Sequence, residues 1–110
     1  NPAANAFAEG FKAWLKEDSA RLTDNSNSEE ISAVTACGYD AYMAIYYALE
    51  KAQSTDGETL RNALAALDVP GLVTGDLKFD ENGDAVKGYA IIKTATTEGF
   101  VFADSVKIEQ

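Results

Sequence analysis

Histidine is absent from this 110-residue chain. Its absence removes the usual general base at neutral pH, the usual partner of a serine or cysteine nucleophile, and the commonest zinc ligand. One cysteine, Cys37, allows no internal disulfide and leaves the redox compartment open. Positive charge is scarce as well: nine basic against eighteen acidic residues give a net charge of −9, which repels nucleic acid and anionic lipid. Asp40 interrupts the one apolar run near the length of a membrane span, about 18 residues. No basic start, apolar segment and small-residue cleavage site is in view, so any export signal is expected outside this segment. What remains is an acidic chain of ordinary apolar content, long enough for one modest core.

Asn1-Pro2 is a helix opening, with Asn capping free amides and Pro tolerated in the first turn. Phe7, Phe11, Trp14 and Leu15 recur at helical spacing and predict an amphipathic helix to about Lys16. Asp18 to Glu30, rich in Asp, Asn and Ser, reads as a solvated loop. A second helix is expected from near Ser28, with Glu29 and Glu30 in its first turn, to about Ala52. Between Ala33 and Leu49 only Asp40 is charged, and Tyr39, Tyr42, Met43, Ile45, Tyr46 and Tyr47 point all round the helical wheel. A helix apolar on every side needs cover on every side. Two short helices and a hairpin supply too little, so this segment is expected to belong to a larger body, or to self-associate when isolated.

Thr55-x-x-Glu58 has the form of a capping box, opening a third helix whose Leu60, Leu64 and Leu67 face inward. That helix stops before Val69-Pro70, because proline disfavours helical geometry in the residue before it. Leu77–Phe79 and Val86–Ile92 alternate apolar and polar residues around Asp80-Glu81-Asn82-Gly83-Asp84, which predicts a β-hairpin. A last extended stretch covers Phe100–Phe102 and Val106–Ile108.

Candidate chemistry is sparse. The acidic turn suggests calcium until it is compared with the helix-loop-helix pattern: counted from Asp80, the sixth residue is Ala85 rather than Gly, and the twelfth is Ile91 rather than Glu. A polar turn is the better reading. Tyrosines 39, 42, 46 and 47 form either an aromatic ligand box or, as their spacing favours, a packed helix face. Asp40 must find a partner or water, because an unpaired buried carboxylate costs several kcal/mol or changes its protonation; that partner is either structural or a ligand. Cys37 has no base or cation near it in sequence and reads as a small buried hydrophobe. No nucleophile arrangement, acid-base pair, metal cluster or phosphate-binding glycine pattern stands out, so no catalytic residue, metal or cofactor is expected.

The order of a helix bearing Gly38-Tyr39-Asp40-Ala41, a further helix, and then Thr74-Gly75 leading into Phe79-Asp80-Glu81-Asn82-Gly83-Asp84 resembles the C-terminal end of the branched-chain amino-acid and amide class of periplasmic solute-binding proteins. The resemblance covers nearly the whole chain. It implies an α/β fold: part of a type I periplasmic-binding-protein fold, with about three helices followed by a β-hairpin and a final strand. Residues 1–110 would be a single C-terminal segment of a two-lobed protein whose remainder lies upstream. The implied function is the non-catalytic, extracytoplasmic solute-binding component of an ABC importer, periplasmic or at the cell surface. Its implied partners are a branched-chain amino acid, amide or similar small polar solute, and an ABC permease. The same fold also serves as the ligand-sensing domain of a receptor or regulator. A free-standing interaction domain is a third possibility. In family members the position five residues before the motif tyrosine often carries an aromatic that lines the pocket. Here that position is Val34, which implies a differently shaped ligand.

Overall fold

Asn1 caps the first helix and ties it to the rest of the chain. Its Oδ1 accepts from the Ala3 and Ala4 amides at 2.9 and 3.3 Å, while its Nδ2 donates to the Leu72 carbonyl at 2.7 Å. A computed structural model describes residues 1–108, so the last two residues of the expected 1–110 segment lie outside the described residues. The helices are α1 (Pro2–Lys16), α2 (Ser19–Asp24), α3 (Ala33–Ala52) and α4 (Gly57–Ala65). The strands are β1 (Asp68–Leu72), β2 (Gly75–Phe79), β3 (Ala85–Val86), β4 (Tyr89–Thr96) and β5 (Gly99–Lys107).

The expected loop at Asp18–Glu30 contains the six-residue α2, because the Asp18 carboxylate accepts from the Ala20 amide and starts a turn that composition did not announce. Ser26 and Asn27, both at positive φ, end it. The long helix starts at Ala33 rather than near Ser28. Ser32 is its cap, accepting from the Thr35 amide at 3.1 Å. Asn25 Nδ2 engages the Ser28 and Glu30 carbonyls and holds that stretch out of the helix, and Glu29 pairs with Lys16 at 3.2 Å instead of sitting in a first turn. In α4 the cap is Asp56, not Thr55, so the expected box is displaced by one residue.

The hairpin differs from its expected form. Val86–Ile92 is not one strand: β3 ends at Val86, and β4 begins at Tyr89 in a second sheet. β1, β2 and β3 form an antiparallel sheet in that order, and β4 and β5 form a two-stranded sheet in which Tyr89 faces Lys107 and Thr96 faces Gly99. β1 was not anticipated. It pairs Val69 with Leu77 and is irregular between Val69 and Leu72, where Gly71 has φ +70 and its amide donates to Asp76 Oδ1 at 2.8 Å. Such an irregular strand accommodates Pro70, which has no amide to donate.

The core lies between α3, α4 and the three-stranded sheet. Ala44, Ala48, Ala63, Leu67, Leu72 and Leu77 are buried, and Leu60, Leu64, Tyr47 and Phe79 pack around them. On α3 the buried positions are Asp40, Ala44 and Ala48, one narrow stripe at four-residue spacing. The other faces of α3 are open, with Val34 and Tyr42 at 80% and 70% exposure. Both strands of the β4–β5 hairpin are exposed along their whole length, Phe100 and Phe102 included. The radius of gyration is 16.6 Å, against about 13 Å for a close-packed domain of roughly this length. Among the described residues no helix is long and apolar enough to cross a membrane.

Candidate functional site

Asp40 is the one charged residue that α3 carries inward, and it is 3% exposed. Its carboxylate faces the tight connection from β1 to β2. Oδ1 accepts from the Val73 amide at 3.1 Å. Oδ2 accepts from the Thr74 amide at 2.7 Å and from the Thr74 hydroxyl at 2.6 Å. Hydrogen bonds to a charged acceptor are among the stronger ones a protein makes, and three of them supply the partners that a buried carboxylate requires. The two motifs that carry the family resemblance therefore meet in space: Gly38-Tyr39-Asp40-Ala41 supplies the acceptor, and Thr74, with Val73 just before it, supplies the donors. Of the two roles open to Asp40 in the sequence, the structure gives the structural one.

Lys87 extends this arrangement. Its Nζ donates to Thr74 Oγ1 at 2.8 Å and lies 3.4 Å from the Asp76 carbonyl oxygen. Thr74 donates its single hydroxyl proton to Asp40 and accepts from Lys87 with the same oxygen, so an ammonium and a carboxylate are joined through one hydroxyl. Sequence reasoning missed Lys87. The available signal was a lone cation in the short link between two apolar strands.

Next to this anchor lies an open groove of about 700 Å³, lined by Phe7, Phe11 and Trp14 of α1 together with Tyr39 and Val73. Phe7 lies 4.9 Å from Tyr39 between ring centroids, Phe11 is 5.9 Å from Trp14, and the Arg21 guanidinium sits 4.6 Å over the Trp14 ring. The inward stripe expected of α1 is thus only partly an internal one: Leu15 is fully buried, whereas Trp14 stays open.

Val34 occupies the first turn of α3, one residue beyond Ala33, and is open to solvent. The structure does not bring it together with the α1 groove, whose α3 contribution is Tyr39. Of the four tyrosines, Tyr47 packs against the core and touches Tyr46 edge-on at 5.5 Å, while Tyr39, Tyr42 and Tyr46 are exposed. The packed-face reading therefore holds within this chain for Tyr47 against the core and, at the surface, for Tyr39 against Phe7. Cys37 is exposed rather than buried, although it lies one turn before Asp40 on the same face of α3, where it lines an open cleft with Asp40, Ala44 and Lys87. In the acidic turn, Asp80 Oδ1 accepts from the Asn82 and Asp84 amides, both at 2.9 Å, and Gly83 takes positive φ. That carboxylate is occupied in shaping the turn, as the polar-turn reading holds.

A family model described as the receptor family ligand binding region matches residues 1–97. Among solved structures, a leucine-binding protein from Thermotoga maritima is similar to this chain, with 27% sequence identity and a TM-score of 0.73. The match covers 97% of this chain and 27% of that one, so the chain spans about a quarter of its relative's length. No curated protein sequence matches. The four helices and two small antiparallel sheets correspond to a part of that α/β fold, with one helix more than expected and with the final strand paired in a hairpin of its own.

Proposed function

The chain belongs to the receptor family ligand binding region, of the type I periplasmic-binding-protein class, and from that premise we propose that it is the C-terminal part of a two-lobed, extracytoplasmic solute-binding protein. In this reading the whole protein traps a branched-chain amino acid, an amide or a similar small polar solute and presents it to the permease of an ABC importer. The observation that carries the reading is the similarity to a leucine-binding protein across 97% of the chain. The open faces of α3 and the fully exposed β4–β5 hairpin support it, since both are surfaces that a larger body covers.

The chemistry is binding without catalysis. A solute that contacts both lobes stabilises the closed arrangement over the open one by its differential affinity, and the permease responds to the closed form. Asp40 and Thr74 contribute by holding α3 against the β1–β2 turn, so that the first turn of α3 is presented at a fixed position. Val34, on that turn, is the residue we assign to the solute pocket.

Titration calorimetry of the full encoded protein with leucine, isoleucine, valine and a short aliphatic amide tests this. Saturable one-to-one binding of at least one is expected, and the 110 residues alone should give no heat of binding. Absence of binding to all four by the full protein would overturn the reading. The receptor wording of the family description favours a second reading, in which the same module senses its ligand for a regulator. Neighbouring permease and ATPase genes distinguish transport from sensing, for which a fused effector or kinase is expected.

A further inference from the structure

The two faces of the β4–β5 hairpin carry opposite charge. Residues paired across an antiparallel ladder share a face, and successive residues of one strand alternate between faces. Tyr89 pairs with Lys107, Ile91 with Ser105, Lys93 with Phe102 and Ala95 with Phe100. One face therefore gathers Tyr89, Ile91, Phe100 and Phe102 with Lys93 and Lys107, and no carboxylate. The other gathers Ile92, Val101 and Val106 with Asp104. The irregularity between Ile92 and Lys93 shifts the alternation of β5, which is what sets Lys107 on the same face as Phe102. The four large apolar side chains of the lysine face are between 58% and 74% exposed.

We propose that the lysine face is where the β4–β5 hairpin docks onto the remainder of the same polypeptide, against an apolar surface that carries carboxylates opposite Lys93 and Lys107. The inference rests on the reading of the chain as part of a longer protein, and adds which face is covered and by what chemistry. A two-stranded hairpin is marginal in water on its own, so its cover has to be present whenever the strands are. A partner that comes and goes would leave the ribbon bare, whereas a neighbouring part of the same chain does not. The match covers 27% of the leucine-binding relative, which leaves most of such a chain to supply the cover. Ammonium groups enclosed beside four apolar side chains need counter-charges. Within the hairpin the described carboxylates are Glu98, at the turn, and Asp104, on the opposite face. The counter-charges therefore come from the covering surface. Anionic lipid or nucleic acid is a poor alternative occupant, because the chain that carries this face has a net charge of −9.

Thiol labelling of the full encoded protein tests this, with Cys37 replaced by Ser and the label located by mass on the peptide that carries it. Ser105→Cys puts a probe on the lysine face, and Glu98→Cys puts an exposed reference at the turn. The thiol at position 105 should react with a water-soluble maleimide at least about a hundredfold more slowly than the reference, since a covered site reacts only through local opening. Dilution of the protein to nanomolar concentration should leave that ratio unchanged. Lys93→Glu sets like charges against each other and should speed labelling at position 105 at least about tenfold, whereas Lys93→Arg should not. Should the Glu variant fail to fold, Lys93→Gln should speed labelling in the same direction. Equal rates at positions 105 and 98 overturn the proposal, as does indifference of the protection to both Lys93→Glu and Lys93→Gln. Protection that is lost on dilution assigns the face to a second copy and overturns it as well. Free labelling at position 105 in a protein that still binds its solute counts against this inference alone, and protection without solute binding counts against the proposed function alone.

Discussion

Thr74 directs two donors at one oxygen of Asp40, its amide at 2.7 Å and its hydroxyl at 2.6 Å, across a sequence separation of 34 residues. This contact fastens the long helix to the sheet. Asp40→Ala takes the acceptor from the half-buried Val73 and Thr74 amides, and each donor so orphaned costs about 1–3 kcal/mol. A total loss of about 3 kcal/mol is therefore expected in urea denaturation. Thr74→Val keeps the amide bond and removes only the hydroxyl, for about 1 kcal/mol. Equal stability of Asp40→Ala and the parent chain would show that the anchor does not hold the helix.

Asp56 caps α4 from a fully exposed position. Its carboxyl is held below the ordinary aspartate value of 3.8, first by the Thr59 amide and then by the Thr59 hydroxyl. A lowered folded-state value means that the cap stabilises the protein fully above the unfolded-state value and that this contribution disappears as pH falls through the folded one. Loss of α4 stability is thus expected below about pH 4. Asp56→Asn retains an acceptor for the Thr59 amide but does not titrate, so its thermal midpoint should depend less on pH between 5 and 2 than that of the parent chain. Identical pH profiles would remove Asp56 from the account.

Much of this architecture was legible because its signals are local. Asn1-Pro2 opens α1, the leucines at 60 and 64 mark the packed side of α4 with Leu67 in the core just beyond its end, and Asp80 to Asp84 shape a turn. The start of α3 was misplaced because Glu29 and Glu30 suit a first helical turn intrinsically, whereas the side chain of Asn25 captures the carbonyls around them. The strand β1 was hidden by Pro70 and Gly71, which locally signal a break and become a strand only because Leu77 pairs with Val69. The split between β3 and β4 is equally non-local: alternation continues through Lys87 and Gly88, and only the choice of partner strand divides it. For the site, Asp40 was identifiable as a buried charge in need of a partner. Thr74 and Lys87 were not identifiable as that partnership, since no pattern in one stretch of chain encodes a contact with another.

The isolated chain should associate with itself. Tyr42, Ile45 and Tyr46 on α3, and Ile91, Phe100 and Phe102 on the hairpin, are apolar side chains left in water. The net charge of −9 opposes association, and salt screens that repulsion over a Debye length of about 8 Å at physiological ionic strength. Light scattering should therefore report a mean mass above the monomer that rises with added salt. A monodisperse monomer at high protein and high salt concentration would contradict the reading of these faces as surfaces that need cover.

Val34 separates ligand binding from stability. Its side chain is exposed at the start of α3 and packs on nothing in the core, so Val34→Ala should leave the thermal midpoint of the unliganded full protein unchanged. If the solute covers Val34 in the closed form, the same change removes two buried methyl groups from the complex, at about 0.8 kcal/mol for each carbon. The expected loss in affinity is about tenfold, because 1.4 kcal/mol corresponds to one decade. Val34→Tyr introduces the aromatic that the family resemblance implies for this position, and should shift preference among solutes rather than abolish binding. Calorimetry with the solute panel, paired with melting of each unliganded variant, reads both effects. Unchanged affinities across the panel for both substitutions would exclude the first turn of α3 from the pocket.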